Sequence, residues 1–149
     1  MTDARPPHLR WSAIALVVIG GMAGSAARAG LSLAIPTVAG VPIAIAIVNI
    51  VGAFVLGCLY SALAHRGAAD ASAVRLRLLL GTGFCGGFTT YSALANDTVV
   101  LAVNGAVGAS TLYALGTLLV GGLATWAGIV VGIGLGGDRR DSARGGEPS

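Results

Sequence analysis

Charged side chains are scarce in this sequence, and lysine is absent altogether. Only 10% of the 149 residues are charged and 55% are hydrophobic, far from the averages of soluble domains. All nine basic residues are arginines, and they do not cluster with aromatic residues on a soluble domain, so the net charge of +3 does not indicate nucleic-acid binding. Cys58 and Cys85 lack the spacing of a zinc or redox motif. No nucleophile, base and orienting group converge by spacing either, so we do not expect an enzyme.

Long apolar segments dominate the chain instead, and four of them can each cross a bilayer of about 30 Å. They run from Trp11 to about Ala27, from about Val41 to Ala64, from about Leu76 to Val103 and from about Ala106 to Leu135. The first is interpreted as a retained helix and not as a signal peptide, because further spans follow it. We therefore predict an all-α membrane domain over residues 11–135, with a cytoplasmic tail at 1–10 and a disordered cytoplasmic tail at 136–149.

The arginines predict how these helices are oriented. With four spans, both tails and the loop between the second and third helices share one side of the membrane. Of the nine arginines, only Arg28 falls on the other side. The arginines on the first side are Arg5, Arg10, Arg66, Arg75, Arg77, Arg139, Arg140 and Arg144. By the positive-inside rule, the chain is a multi-pass protein of the cell (inner or plasma) membrane with both termini cytoplasmic.

The third span is interrupted by a polar, glycine-rich stretch, GTGFCGGFTTYS, at residues 81–92. Backbone groups inside hydrocarbon need partners, so such a stretch is tolerated only where it lines a cavity or holds an ion. We expect a break in the centre of this helix at Gly86 and Gly87, with carbonyls aimed at one point. The alternative is a kink that serves only packing.

Asn49 and a face of the fourth span are further candidates for an anion pathway. Asn49 offers two N–H donors without a full positive charge, although a lone amide also bonds neighbouring helices. Tyr113, Thr117, Gly121 and Thr125 recur at intervals of four, which puts three hydroxyls on one face. Threonines in membrane helices often bond only their own backbone, so both interpretations stay open.

Small residues and two isolated charges complete the pattern. Gly20 and Gly24, together with Gly21 and Ser25, form overlapping small-x-x-x-small pairs that predict close packing of the first helix. Arg28 and Asp97 both fall on the outer side of the membrane. They either pair with each other or are solvated at the interface.

Three stretches together resemble the signature segments of the Fluc/CrcB fluoride channels. They are residues 20–28, 48–57 and 83–92, in the order and at the spacing of that family. The resemblance implies an antiparallel dimer of the dual-topology type, through whose pores cytoplasmic fluoride leaves the cell passively, which protects against fluoride toxicity. It also implies a central, non-transported Na⁺ held by the backbone carbonyls of Gly86 and Thr89 from each subunit.

The family pattern also assigns side chains to the pore and to the scaffold. The implied pore residues are Asn49, Tyr91, Ser92, Leu94, Tyr113, Thr117 and Thr125. The implied structural residues are Gly24, Arg28, Gly87 and Thr90. The chain departs from the pattern at two places. The phenylalanines that follow the break in the family fall on Tyr91 and Leu94 here, and leucine has no ring edge to present to fluoride. The third hydroxyl of the helix-four track is replaced by Gly121.

The charge distribution and these departures bear on the partner. A homodimer whose copies insert in opposite orientations needs little arginine asymmetry, and this chain has a large one. We therefore predict a subunit that pairs with a related, oppositely oriented chain. One alternative is a small multidrug-type transporter, which depends on a carboxylate in its first helix, and residues 11–27 contain none. The other is a non-conducting subunit of a heterodimeric channel.

Overall fold

The computed structural model describes residues 11–64, 66 and 70–144, and for 137–144 only the backbone. These residues are mostly helical. In chain order the elements are α1 (Trp11–Ala34), α2 (Ile43–Ala62), α3 (Ala71–Leu76), a π-helix (Arg77–Cys85), α4 (Gly86–Phe88), α5 (Tyr91–Val103) and α6 (Val107–Arg144). The described part of the chain contains no strand beyond an isolated bridge between Val38 and Val41. The predicted all-α class is confirmed.

Three of these helices are long and apolar enough to cross a membrane, over Trp11–Ala34, Ile43–Ala62 and Val107–Gly136. The remaining predicted span is divided into two parts. Its first part, from α3 through the π-helix to α4, is continuous, and α5 follows two extended residues later. The four predicted helices are therefore all present, and the third is broken.

Two helices are longer than the sequence predicted. Helix α1 continues past Arg28 to Ala34. It ends there because Pro36 is the first proline after its start, and the residue before a proline disfavours helical backbone angles. Arg28 therefore lies on a helix face and does not close the helix. Helix α6 continues to Arg144, so residues 136–144 extend the helix where a disordered tail was predicted. Residues 1–10, 65, 67–69 and 145–149 lie outside the described residues, so the predicted tails are untested at 1–10 and 145–149.

Glycines bring the helices into backbone contact. Gly24 of α1 lies so close to the Phe84 carbonyl and the Phe88 amide of the broken helix that an added Cβ would collide with them. Gly128 of α6 meets the Phe54 carbonyl of α2 in the same way. Close packing of this kind drives helix association in lipid, where the hydrophobic effect between helices is absent. Helix α1 accordingly packs along the π-helix, and α2 packs along α6.

Polar contacts connect the end of α2 to the start of the broken helix. Asp70 caps α3, and its carboxylate accepts hydrogen bonds from the Ser72 and Ala73 amides at 2.9 and 3.2 Å. The Ser72 hydroxyl also donates to this carboxylate, which lowers the pKa of Asp70 below its ordinary range. Arg77 donates to the Leu63 carbonyl at 2.6 Å, where a cation complements the C-terminus of α2.

Candidate functional site

The broken helix is interrupted at Thr89 and Thr90. Gly86 is helical, with φ −63° and ψ −36°, whereas Thr89 (φ −80°, ψ 154°) and Thr90 (φ −152°, ψ 116°) are extended. Gly87 lies against the backbone of Gly21 in α1, where a Cβ would collide. The break was therefore predicted correctly but placed wrongly at the glycine pair, because Gly87 allows close helix packing and does not turn the chain.

The Gly87 carbonyl is bonded by two side chains of α1. Arg28 Nε donates to this oxygen at 3.2 Å and Ser25 Oγ at 3.4 Å. The carbonyls of a last helical turn lack donors within the helix, so these contacts satisfy an otherwise unpaired group. Arg28 thus bonds the main chain of the break. The sequence left two roles open for Arg28, pairing with Asp97 or solvation at the interface. This contact is neither of them.

Asn49 of α2 holds both backbone polar groups of Thr90. Its Oδ1 accepts the Thr90 N–H at 2.8 Å, and its Nδ2 donates to the Thr90 carbonyl at 3.0 Å. An amide nitrogen carries two hydrogens, so one N–H remains for another acceptor. The sequence left two interpretations of Asn49 open, a bond to a neighbouring helix or a donor for an anion. The structure allows both, because Asn49 bonds Thr90 and still has one N–H free.

A cavity of about 340 Å³ lies between α2, α5 and α6, beside the break. The residues implied for the pore that line it are Asn49, Tyr91, Leu94, Thr117 and Thr125. Gly121, which replaces the third hydroxyl of the track, lines it as well. Ser92 and Tyr113 do not line it: Ser92 is exposed, and Tyr113 is buried. The structure thus brings together most of the side chains that the resemblance selected.

Some lining residues carried no signal in the sequence. Ala53, Leu118 and Gly122 also face the cavity. Leu118 and Gly122 each follow a residue of the four-residue track on α6, so the cavity occupies a broader helix face than that track. Since all three are apolar and lie in apolar segments, only the packing of α2 against α6 identifies them.

The hydroxyl groups of α6 are engaged with backbone oxygens. Thr117 Oγ1 donates to the Tyr113 carbonyl at 2.6 Å, and Thr125 Oγ1 donates to the Gly121 carbonyl at 3.0 Å. Each threonine hydroxyl has a single hydrogen, so it must rotate away from its own helix before it can donate to a ligand in the cavity. In this structure, both threonines therefore bond the backbone of their own helix.

The hydroxyl of Tyr113 points to a different place from those of the threonines. Tyr113 Oη lies 3.2 Å from the Pro42 carbonyl and 3.3 Å from a carboxylate oxygen of Asp97. This contact ties the start of α2 to α5 and α6. It also identifies Tyr113 as a partner of Asp97, whereas the sequence had suggested Arg28.

Tyr91 and Leu94 differ strongly in exposure although both line the cavity. Tyr91 is 78% exposed, whereas Leu94 is 6% exposed and packs in a buried cluster with Ile45, Leu101 and Tyr113. The aromatic ring is therefore open to whatever covers this face of the chain. The leucine is enclosed by its own subunit.

A cation at this site would be bound by neutral oxygen atoms, such as backbone carbonyls. The described residues contain no group of three His, Cys, Asp or Glu side chains that could hold a metal ion. Gly86 is exposed, and nothing lies within 4 Å of the position a Cβ would take there. Thr89 lines the cavity. Of the two residues that the resemblance implies as cation ligands, Gly86 thus begins α4 at an exposed position, and Thr89 follows α4, half-buried beside the cavity.

Comparison with known proteins identifies the family. The family model described as CrcB-like protein, Camphor Resistance (CrcB), matches residues 15–129, a range that runs from α1 into α6. This chain belongs to the CrcB family. The resemblance inferred from three short sequence stretches is thereby confirmed over most of the chain.

Named relatives of this CrcB-family protein match it over most of their own length. It is 47% identical to Fluoride-specific ion channel FluC 2 of Leifsonia xyli over 138 residues, which cover 93% of this chain and 95% of that protein. It is 44% identical to Fluoride-specific ion channel FluC of Gloeobacter violaceus over a match that covers 76% of this chain and 90% of that protein. It is 42% identical to the protein of that name from Paracoccus denitrificans, and the match covers 80% of this chain and 93% of that protein. These names describe ion channels and no enzyme.

Proposed function

We propose that this protein is a subunit of a fluoride-selective channel through which cytoplasmic fluoride leaves the cell passively, which protects against fluoride toxicity. The observation that carries the proposal is the cavity beside the broken helix, where Asn49, Tyr91, Thr117 and Thr125 meet. The names of relatives that match this chain over most of their length support the choice of fluoride.

The chemistry of the cavity suits a small, strongly hydrated anion. A selective pore must replace the water around the ion with donors from the protein. Asn49 has one N–H left for this purpose, and Thr117 and Thr125 each supply a hydroxyl after rotation. The positive edge of the Tyr91 ring adds a weak attraction. Since none of these groups carries a full positive charge, fluoride is desolvated without being trapped.

A central Na⁺ belongs to the same proposal. Hard cations prefer oxygen ligands, and the carbonyls of Gly86 and Thr89 from two subunits would provide four. These residues fit because they lie at the end of a helix, where carbonyls lack helical donors, and because the space around Gly86 is open. When bound, Na⁺ would supply a fixed positive charge that holds these carbonyls together, and it would not be transported.

The channel is proposed to be an antiparallel dimer of this chain with a related chain in the opposite orientation. The arginine distribution supports a single orientation for this subunit, with cytoplasmic termini. The exposed Tyr91 and Gly86 beside the break support a partner on this face. A partner would also offer the ring edge that Leu94 lacks.

Fluoride efflux from liposomes tests the function. We expect the channel to release fluoride, measured with an ion-selective electrode, at least about a hundredfold faster than chloride. Asn49→Ala removes both the cavity donor and the bonds to Thr90, so it should lower fluoride efflux at least about tenfold. Asn96→Ala is the matched control, because Asn96 is an exposed amide of α5 outside the cavity. Equal fluoride and chloride efflux would contradict fluoride selectivity.

Reconstitution of this chain alone tests the subunit arrangement. We expect little fluoride efflux from the single polypeptide and recovery when the related, oppositely oriented chain is added. Robust efflux from this chain by itself would rule out an obligate partner while leaving the fluoride channel in place.

A non-conducting role within a heterodimer is the second candidate. It is favoured by Leu94, an enclosed aliphatic side chain where the family pattern has phenylalanine. Leu94→Phe should then raise fluoride efflux in the assembled channel, whereas unchanged efflux argues against this role. A multidrug-type transporter is not favoured, since α1 contains no carboxylate.

A further inference from the structure

Two backbone N–H groups at the break are bonded by side chains in place of helix carbonyls. In a continuous α-helix, the N–H of each residue bonds the carbonyl four residues earlier. The Thr90 N–H would then bond Gly86, and the Ala93 N–H would bond Thr89. Instead, the Thr90 N–H bonds Asn49 Oδ1 at 2.8 Å, and the Ala93 N–H bonds Thr90 Oγ1 at 3.3 Å.

Neighbouring carbonyls of the same break have partners. The Cys85 carbonyl accepts from the Thr89 N–H at 2.9 Å and from the Thr89 hydroxyl at 2.8 Å. The Gly87 carbonyl accepts from Arg28 and Ser25 of α1. The Thr90 carbonyl accepts from Asn49 Nδ2. The side chains around the break therefore satisfy some carbonyls and take the usual donors away from two others.

We propose that Asn49 and Thr90 are positioning residues that keep the Gly86 and Thr89 carbonyls available for Na⁺. This inference rests on the cation site of the proposed function. An unpaired carbonyl in a medium of low dielectric is costly, so without these side chains the two N–H groups would close onto the carbonyls and extend the helices. With the donors held by Asn49 and Thr90, a hard cation is the partner that satisfies both carbonyls.

The assignment links the two functional parts of the molecule through one amide. Asn49 lines the cavity and also holds the backbone that carries the cation ligands. Loss of this amide therefore affects the cation site and the anion pathway together. Loss of the Thr90 hydroxyl affects the cation site through Thr89.

A purely structural role for Thr90 makes a different prediction. Thr90 is also the N-cap of α5, and a lost N-cap destabilises a protein regardless of which cation is present. A positioning role instead changes the increment in stability that Na⁺ adds. The Na⁺-dependent part of the melting temperature therefore separates the two roles, and it is measured without fluoride flux.

Thermal unfolding of the assembled channel in detergent, this full-length chain together with its related partner, tests the inference. The melting temperature is compared in NaCl and in N-methyl-D-glucamine chloride at equal ionic strength. Na⁺ should raise the melting temperature of the wild type. In Thr90→Val the Na⁺ concentration that gives the same rise as in the wild type should increase at least about tenfold, equivalent to about 1.4 kcal/mol. Thr90→Ser, which keeps the hydroxyl, should respond like the wild type. Thr111→Val is the control, because the exposed Thr111 hydroxyl bonds only its own helix.

Two Asn49 variants give an independent arm. Asn49→Asp keeps an oxygen for the Thr90 N–H and should retain the Na⁺ response, whereas Asn49→Leu should lose it. A wild-type Na⁺ response in Thr90→Val or Asn49→Leu overturns the inference. Selective fluoride efflux by the wild-type assembled channel would then show that the channel proposal survives. Absence of any Na⁺ response in the wild type overturns the cation site and this inference together.

Discussion

Arg28 and Gly87 are joined across the interface between α1 and the broken helix, with the guanidinium Nε 3.2 Å from the carbonyl oxygen. The oxygen lies in the last helical turn before the break, where a positive charge complements the exposed carbonyls. Ser25 approaches the same oxygen from one turn earlier on α1, at 3.4 Å. Helix α1 therefore holds this turn by hydrogen bonds as well as by its glycine contacts.

Replacing Arg28 with alanine should destabilise the protein by about 1.5–3 kcal/mol, because a hydrogen bond from a charged donor is lost and the Gly87 carbonyl keeps only the longer bond from Ser25. Thermal unfolding can be followed by maleimide labelling of Cys85, which is 1% exposed, in a Cys58→Ser background. Ser25→Ala should cost less, since its bond is longer. A smaller effect for Arg28→Ala than for Ser25→Ala would contradict this account.

Gly24→Ala should separate α1 from the broken helix. The new Cβ would meet the Phe84 carbonyl and the Phe88 amide, and overpacking of this kind costs about 1–3 kcal/mol. Gly30→Ala is the matched change on the same helix, where nothing lies within 4 Å of the added carbon, so stability should stay the same or rise by up to about 1 kcal/mol. The same labelling assay compares the two. Similar melting temperatures for both variants would argue against a close contact at Gly24.

Thr117→Val tests whether the hydroxyls of α6 serve the anion. Valine keeps the shape but removes the donor, so fluoride efflux should fall at least about tenfold if the hydroxyl rotates toward the ion. Thr111→Val removes the same type of backbone-bonded hydroxyl from an exposed position on the same helix and should leave efflux unchanged. Equal efflux in both variants would mean that the Thr117 hydroxyl only bonds its own backbone.

Gly121→Ser should restore the missing hydroxyl of the track. Gly121 lines the cavity, and nothing lies within 4 Å of the position that a Cβ would take there, so serine fits without displacing the backbone. A further donor along the pathway should increase fluoride efflux about two- to tenfold. Gly116→Ser is the control, because it adds a hydroxyl in open space outside the cavity. If Gly121→Ser lowers fluoride efflux and Gly116→Ser does not, a small residue at position 121 is needed for fluoride to pass.

Much of the fold followed from short-range features of the sequence. Apolar length predicted the helices, and the polar stretch after Gly81 predicted an interruption of the third one. Helix ends were predicted less well: α1 passes through Arg28 because a single arginine does not end a helix, and Gly30 two residues later stays helical and does not cap it. The position of the break was wrong for a related reason. A glycine pair indicates backbone freedom, but Gly87 is required by the approach of Gly21.

Composition and apolar length by themselves determined the all-α membrane class and the number of helices. The resemblance of three sequence stretches to a known family indicated the family and most of the residues that line the cavity. Which hydrogen-bond partners these residues choose was decided only by the tertiary structure. Arg28 bonds Gly87, and Asn49 bonds Thr90, because helix packing brings groups far apart in the chain within 3.2 Å. Inside an apolar environment each polar group takes the partner that packing places beside it, and local sequence does not contain that information.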